Sequence, residues 1–298
     1  MLRPMATDDK PRLKLKFIGC EVIHREACYL AASAPHQVDL QFLRKGLHDL
    51  EAADMRSQVQ AAIDAVDPQA GYDATILGYA RCNDGLVGIQ AGSLPVVIPR
   101  AHSCITFFFG SAGAYLEYFD EHPGTYYMTT GWAERGGQAG GAFQHFQQAQ
   151  QAQSAGLDSR QANSDCGQSQ AGGGNNPNLP PRQGVLAKLG LADSYEQMVE
   201  KYGRDNADFI MESLGDWTKN YNKILYLRMF PEEICDESPY IAQARDQACR
   251  HNWQFEIRQG KWDILRKLFL GRWDDDFVIL QPGQKLSARN DDRILDAI

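Results

Sequence analysis

The chain has 298 residues, which is enough for one large domain or two small ones. Its hydrophobic content of 43% and charged content of 23% are ordinary for a soluble globular protein. The net charge of −8 counts against nucleic acid as the main partner, because phosphate binding needs a basic face. No apolar run approaches the roughly 18 residues of a membrane-spanning helix, so no membrane partner is predicted.

The N-terminal stretch and the cysteine content favour a cytoplasmic protein. Residues 1–19 carry charges but lack the apolar segment of a secretory signal before the first predicted strand. Seven cysteines in a chain without such a signal indicate reduced thiols, and an odd number cannot all pair within the chain.

Short β-branched runs alternate with amphipathic segments in the first part of the chain. Strands are predicted over 13–18, 38–43, 72–79, 95–98 and 125–129, with helices over 22–32, 52–66 and 105–119. This alternation predicts an α/β fold, with a mostly parallel sheet and right-handed crossovers.

Residues 136–181 interrupt this pattern. These 46 residues contain ten Gln and nine Gly but no Val, Ile, Tyr or Trp. A segment with so little apolar surface cannot offset the entropy lost on ordering, so we predict a disordered low-complexity insertion.

The chain then returns to α/β patterning. Helices are predicted over 194–202, 206–221, 238–251 and 261–270, and strands over 223–229, 253–257 and 277–280. We therefore predict an N-terminal half (1–135), the insertion (136–181) and a C-terminal half (182–298). Two Rossmann-like halves are preferred over one sheet shared by both.

Three cysteines follow predicted strands of the N-terminal half. Cys20 follows the first strand, Cys82 the third and Cys104 the fourth. Ligands of open parallel sheets collect outside the carboxyl ends of the strands, near the point where the strand order reverses. If the order begins 2-1-3-4, the three thiols lie along one edge of the sheet.

Three thiolates with one vacant position suit a catalytic zinc ion or an iron–sulfur cluster with one open iron. His24, His48 and His102 are candidates for a fourth ligand or a proton carrier. No CxxC pair is present, so a redox or nucleophilic thiol and inert buried thiols stay open as alternatives.

A candidate anion site follows the fourth strand. Arg100 and His102 precede a predicted helix, whose first N–H groups and dipole favour negative charge, although Ser103 could simply cap that helix. Asn83 and Gly85 add a polar, flexible loop after Cys82. The patterns GxGxxG, GxxxxGK[ST] and GxSxG are absent, so standard nucleotide-binding and serine hydrolase motifs are not indicated.

Several motifs together resemble a known family. These are Gly19-Cys20-Glu21, YDATILGYARCNDGLVG, LPVVIPRAHSCI, HPGTYYMTTGW and LFLGRWDDDFVILQPG, and they are similar to the bacterial and archaeal family catalogued as domain of unknown function 1638. The similarity spans about residues 13–135 and 195–283. Ser103 stands where the family pattern has Asp, which removes a carboxylate that would orient His102.

The resemblance implies no settled activity, although some family members are encoded near corrinoid-dependent methyltransferases. The hypothesis from the residues is a metal- or iron–sulfur-dependent enzyme that acts on a small anionic molecule. Cys20, Cys82 and Cys104 would hold the metal, Arg100 the anion, and His102 would move a proton. The alternative is a non-catalytic binding module, such as a metal- or corrinoid-handling partner of a methyltransferase.

Overall fold

The computed structural model of the protein describes residues 11–49, 52–82, 84–135 and 220–298. The predicted insertion, the helix predicted over 194–202 and all but the last two residues of the helix predicted over 206–221 lie outside the described residues. Within the described ranges, no helix combines the length and the apolar character that crossing a bilayer requires.

The strands agree closely with the sequence pattern. They are β1 (Lys14–Cys20), β2 (Gln37–Leu43), β3 (Ala74–Gly78), β4 (Val96–Pro99), β5 (Thr125–Met128), β6 (Lys223–Arg228), β7 (Gln254–Gln259), β8 (Phe277–Leu280), β9 (Leu286–Ala288) and β10 (Leu295–Ala297). The last two form an antiparallel pair that the sequence analysis did not predict.

The helices are α1 (His24–Ser33), α2 (Ala52–Asp64), α3 (Ile105–Phe109), α4 (Ala112–Glu121), α5 (Thr130–Arg135), α6 (Ser238–His251) and α7 (Asp263–Phe269). The single helix predicted over 105–119 is wrong. Gly110 adopts a left-handed conformation (φ 80°) that ends α3, and the Ser111 hydroxyl then accepts a hydrogen bond from the Ala114 N–H at the start of α4. Such a glycine followed by a serine cap separates two helices.

Two main sheets, one mixed and mostly parallel and the other entirely parallel, make up the α/β fold. The larger sheet has the order β2-β1-β3-β4-β8, in which β1 to β4 are parallel and β8 is antiparallel to β4. The smaller sheet has the order β5-β6-β7 and is entirely parallel. Every residue of β3 and β4 is buried, which explains their continuous apolar sequences.

The two sheets do not follow the boundaries predicted for the two halves. Strand β5 precedes residue 135 but pairs with β6, whereas β8 comes from the C-terminal part and pairs with β4. The main hydrophobic core continues across both sheets and includes Phe17 of β1 and Leu225 of β6. The two parts of the chain are therefore interleaved.

Candidate functional site

The carboxyl end of the larger sheet holds the three predicted cysteines. The order β2-β1-β3-β4 meets the condition on which that prediction depended. Cys20 is the last residue of β1, Cys82 lies in the turn after β3, and Cys104 immediately precedes α3. Three neighbouring strands therefore deliver a thiol to the same edge of the sheet.

Backbone hydrogen bonds hold the Cys82 turn against the segment that leads to Cys104. The Arg81 N–H donates to the Ala101 carbonyl (2.9 Å), and the Cys82 N–H donates to the His102 carbonyl (3.2 Å). Cys82 itself is in a left-handed conformation (φ 43°), which is unusual for a residue with a side chain. The turn after β3 therefore places the Cys82 thiol by means of an uncommon backbone conformation.

The thiols of Cys82 and Cys104 form an asymmetric pair. A hydrogen bond from the Cys104 thiol is the largest cause that lowers the pKa of Cys82. The same interaction, together with burial, raises the pKa of Cys104 well above its usual value. Cys82 is therefore the more acidic thiol of the pair, and Cys104 is its hydrogen-bond donor.

Cys20 completes the group but differs in burial. It is 7% exposed, and burial raises the pKa of its thiol to about 12, with negative charge on Cys82 and Glu21 adding to the effect. A thiol in this state is poorly nucleophilic unless a cation replaces its proton. The three cysteines together are called the three-thiol site below.

Tyr79 belongs to this site although sequence analysis placed it inside a strand. It follows β3 directly and is only 2% exposed. Its hydroxyl has no hydrogen-bond partner among the described residues. Burial raises its pKa well above the usual value, and charge on Cys20, Cys82 and Cys104 raises it further.

Arg100 and His102, which were predicted to bind an anion, lie next to protein groups in the structure. The Arg100 guanidinium donates to the carbonyls of Arg293 (2.9 Å) and Leu295, and its Nη2 lies 3.9 Å from Asp296. These contacts tie Arg100 to the β9–β10 hairpin, and its role in anion binding stays a prediction. Burial, followed by the charge of Arg81, lowers the pKa of His102, so its imidazole is neutral near pH 7.

The loop residues predicted to bind a ligand are only partly described. Asn83 lies outside the described residues. A Cβ atom on Gly85 would fall 2.3 Å from the Met55 sulfur, so the missing side chain permits close packing on α2. Ser103 contributes its carbonyl, which accepts the Thr106 N–H (3.1 Å), and the residue at the helix start is Cys104.

The described residues contain no group of three or more His, Cys, Asp or Glu side chains already arranged to hold a metal ion. Thiols are nevertheless the side chains that soft metals prefer, and three of them lie at this sheet edge near the Tyr79 hydroxyl, which has no hydrogen-bond partner among the described residues.

A cleft lies between α1, α5 and the segment after β6. This cleft has a volume of about 670 Å³ and is lined by His24, Arg25, Cys28, Tyr29, Glu134, Arg135, Phe230, Ile234 and Cys235. Arg25 and Glu134 form a bidentate ion pair, and the Tyr240 hydroxyl donates to Glu134 (2.6 Å).

The cleft lies next to the three-thiol site through Glu21, the residue after Cys20. The Glu21 carboxylate accepts the Lys45 N–H (2.9 Å) and lies 3.9 Å from the Arg135 guanidinium. The pairings of Arg25 with Glu134 and of Glu21 with Arg135 had no local signal in the sequence, because the partners are more than a hundred positions apart. Tyr79 had one usable signal, its position directly after a buried strand.

Comparison with known proteins gives one match. The chain matches the family described as "Protein of unknown function (DUF1638)" over residues 42–269, which is more than half of its length. Neither a curated protein nor a solved structure matches it. The chain therefore belongs to the family "Protein of unknown function (DUF1638)", as the sequence motifs indicated.

Proposed function

We propose that the protein is a metal- or iron–sulfur-dependent enzyme that acts on a small anionic molecule at the three-thiol site. The observation that carries this proposal is that Cys20, Cys82 and Cys104 lie at one sheet edge near the Tyr79 hydroxyl, which lacks a partner among the described residues. Thiolates are the preferred ligands of zinc and of iron–sulfur clusters, and three of them leave a position open for a substrate. A bound metal would supply a Lewis acid or an electron-transfer centre.

The surrounding residues have distinct roles in this proposal. Cys82 is the first thiol to bind, because its pKa is already lowered by Cys104. His102 is neutral and able to accept a proton. The positive charge for the anion comes from the cleft, where Arg135 has one ion pair among the described residues, a 3.9 Å contact to Glu21, whereas Arg100 donates to the hairpin carbonyls.

Purification without oxygen, followed by metal and sulfide analysis, tests the proposal. We expect stoichiometric iron with sulfide, or zinc alone, in the wild-type protein. Each of the variants Cys20→Ser, Cys82→Ser and Cys104→Ser should lose most of the metal. Cys249→Ser is the matched control, because Cys249 is an exposed cysteine on α6.

Protein that contains neither metal nor sulfide, and that takes up neither on reconstitution, contradicts the proposal. That result favours the non-catalytic binding module, for which corrinoid or methyltransferase partners stay a prediction.

A dithiol redox function is the second candidate, and the Cys82–Cys104 pair specifically favours it. The Cys82 thiolate would attack a small disulfide and release one thiolate of that substrate. Cys104 would then attack the mixed disulfide, so that the substrate leaves as two thiols and the pair becomes a disulfide. Incubation with oxidised glutathione should then remove two hydrogens from the mass of the wild type but not of Cys104→Ser.

A further inference from the structure

A pocket separate from the cleft lies at the carboxyl end of the smaller sheet. It has a volume of about 300 Å³, and its floor is formed by Phe108 and Phe109 of α3 and by Leu227 of β6. One wall is α4, and the other is the end of β7 with the segment that follows it. In α/β proteins, small molecules bind outside the carboxyl ends of parallel strands.

The α4 wall of this pocket is acidic. Glu117 and Glu121 lie one helical turn apart, so their carboxylates share one face of the helix and repel each other mildly. Glu117 has no ion pair among the described residues, and Glu121 has one contact there, 4.0 Å to the His122 imidazole. This side of the pocket is therefore negatively charged.

The β7 wall is basic. Arg258 lies near the end of β7, and Lys261 follows the strand, where its N–H donates to the Phe108 carbonyl (2.9 Å). The Arg258 guanidinium lies over the Tyr118 ring, 4.4 Å from the centroid, and one nitrogen is 3.4 Å from Glu256. These contacts orient the guanidinium, and the one to Glu256 uses one of its five N–H groups. Lys261 has no ion pair among the described residues.

The charges of the two walls do not neutralise each other directly. The acids of α4 form no ion pair with the cations of the β7 wall, although all four described side chains line the same pocket. A simple anion is repelled by the α4 wall and a simple cation by the β7 wall, whereas a zwitterion places each of its charges opposite a complementary one. The small volume requires a small ligand, and the aromatic floor favours an apolar substituent.

We infer that this pocket binds a small zwitterion of the α-amino acid type, with its ammonium group toward the acids of α4 and its carboxylate toward Arg258 and Lys261. The apolar side chain of the ligand lies on Phe108 and Phe109. The pocket shares no lining residue with the three-thiol site, so the inference does not depend on a metal bound there.

Isothermal titration calorimetry with L-alanine, L-leucine and L-methionine, each added separately to the full chain, tests the inference. At least one of them should bind with one-to-one stoichiometry and a Kd at or below about 1 mM. The amide and the N-acetyl derivative of that amino acid should each bind about tenfold more weakly, because each lacks one of the two charges.

Two variants connect each charge of the ligand with one wall. Glu117→Gln should weaken binding of the amino acid about tenfold and reduce its preference over the N-acetyl derivative, which has no ammonium group. Lys261→Met should weaken binding by a similar factor and reduce the preference over the amide, which has no carboxylate.

Asp120→Asn and Lys285→Met are the matched controls. Asp120 is an exposed acid on the same helix α4, Lys285 is an exposed lysine, and neither lines the pocket. Both variants should bind the amino acid as the wild type does.

Three outcomes would overturn the inference. The first is that none of the three amino acids binds, and the second is equal affinity for an amino acid and both of its derivatives. The third is unchanged affinity in both Glu117→Gln and Lys261→Met, which places the ligand elsewhere. None of these outcomes bears on the metal content of the three-thiol site, so the proposed function is tested separately.

Discussion

Gly131 lies directly against the backbone of Val22. A Cβ atom on Gly131 would fall 1.7 Å from the Val22 carbonyl oxygen, a separation that no side chain can occupy. Gly131 is in α5, which follows β5 of the smaller sheet, and Val22 is in the short helical turn Glu21–Ile23 after β1 of the larger sheet. This contact joins the carboxyl ends of the two sheets, and the cleft lies beside it.

Replacement of Gly131 by alanine should therefore be strongly destabilising. The new methyl group meets backbone atoms that cannot move aside, so we expect a loss at or above the roughly 3 kcal/mol typical of severe overpacking. Gly113→Ala is the control, since nothing lies within 4 Å of a Cβ there and alanine is favoured in α4. Urea denaturation of both variants measures the difference, and equal stabilities would contradict the described junction.

Substitution of Arg100 should lower the stability of the fold more than it weakens ligand binding. Its side chain is 14% exposed and donates to two carbonyls of the C-terminal segment, a geometry that lysine cannot reproduce. Arg100→Lys should lower the free energy of unfolding by about 1.5–3 kcal/mol.

Arg293→Lys is the control for Arg100→Lys. Its guanidinium is 62% exposed and contacts Asp296 at 3.5 Å, so the substitution should change stability by less than about 0.5 kcal/mol. Thermal denaturation distinguishes the two variants. Normal stability of Arg100→Lys with weakened anion binding would instead support the anion-binding role predicted from the sequence.

The free energy of unfolding should fall as pH rises, because the buried Glu26 side chain loses its proton. The side chain is fully buried, and neither carboxyl oxygen has a partner among the described residues beyond its own backbone N–H. Burial raises the pKa from 4.5 to about 8, and Glu237 and Glu134 add to the shift while Arg25 opposes it. The folded state therefore holds a proton that the unfolded chain releases above pH 4.5.

The stabilisation due to protonated Glu26 is complete below about pH 4.5 and is lost as pH rises to about 8. The size of the loss is on the order of 5 kcal/mol. Glu26→Gln should flatten this part of the stability profile, whereas the exposed Glu232→Gln should leave it unchanged. Denaturant titrations at pH 5, 7 and 9 are the measurement, and parallel profiles of wild type and Glu26→Gln would contradict the assignment.

Cys82 should be the most reactive thiol of the three-thiol site in the metal-free protein. Its pKa is lowered, whereas the pKa values of Cys20 and Cys104 are raised. Brief treatment with iodoacetamide at pH 7, followed by peptide mass spectrometry, should label Cys82 before Cys104 although both are partly exposed. In Cys104→Ser the labelling of Cys82 should slow, because the thiol that stabilises its thiolate is gone. Faster labelling of Cys104 than of Cys82 would contradict this prediction and make Cys104 the more reactive thiol.

The sequence by itself determined the α/β class and most of the strands. The buried strands β3 and β4 are continuous apolar runs, and the position of Cys20 at the end of β1 follows from local patterning alone. Local patterning also predicted α6 with the bounds observed, because Pro239 near its start and Asn252 after its end are local signals. These features depend on residues that are close together along the chain, so they can be predicted from the sequence.

Only the tertiary structure decided what surrounds the candidate site. The pairing of β8 with β4, the attachment of Arg100 to the carbonyls of Arg293 and Leu295, and the Arg25–Glu134 ion pair all join residues that are far apart in the chain. That the Tyr79 hydroxyl has no hydrogen-bond partner among the described residues is likewise decided by everything packed around it. Sequence patterns encode local conformation and burial, whereas the partner of a polar group is fixed by long-range packing, which no local pattern specifies.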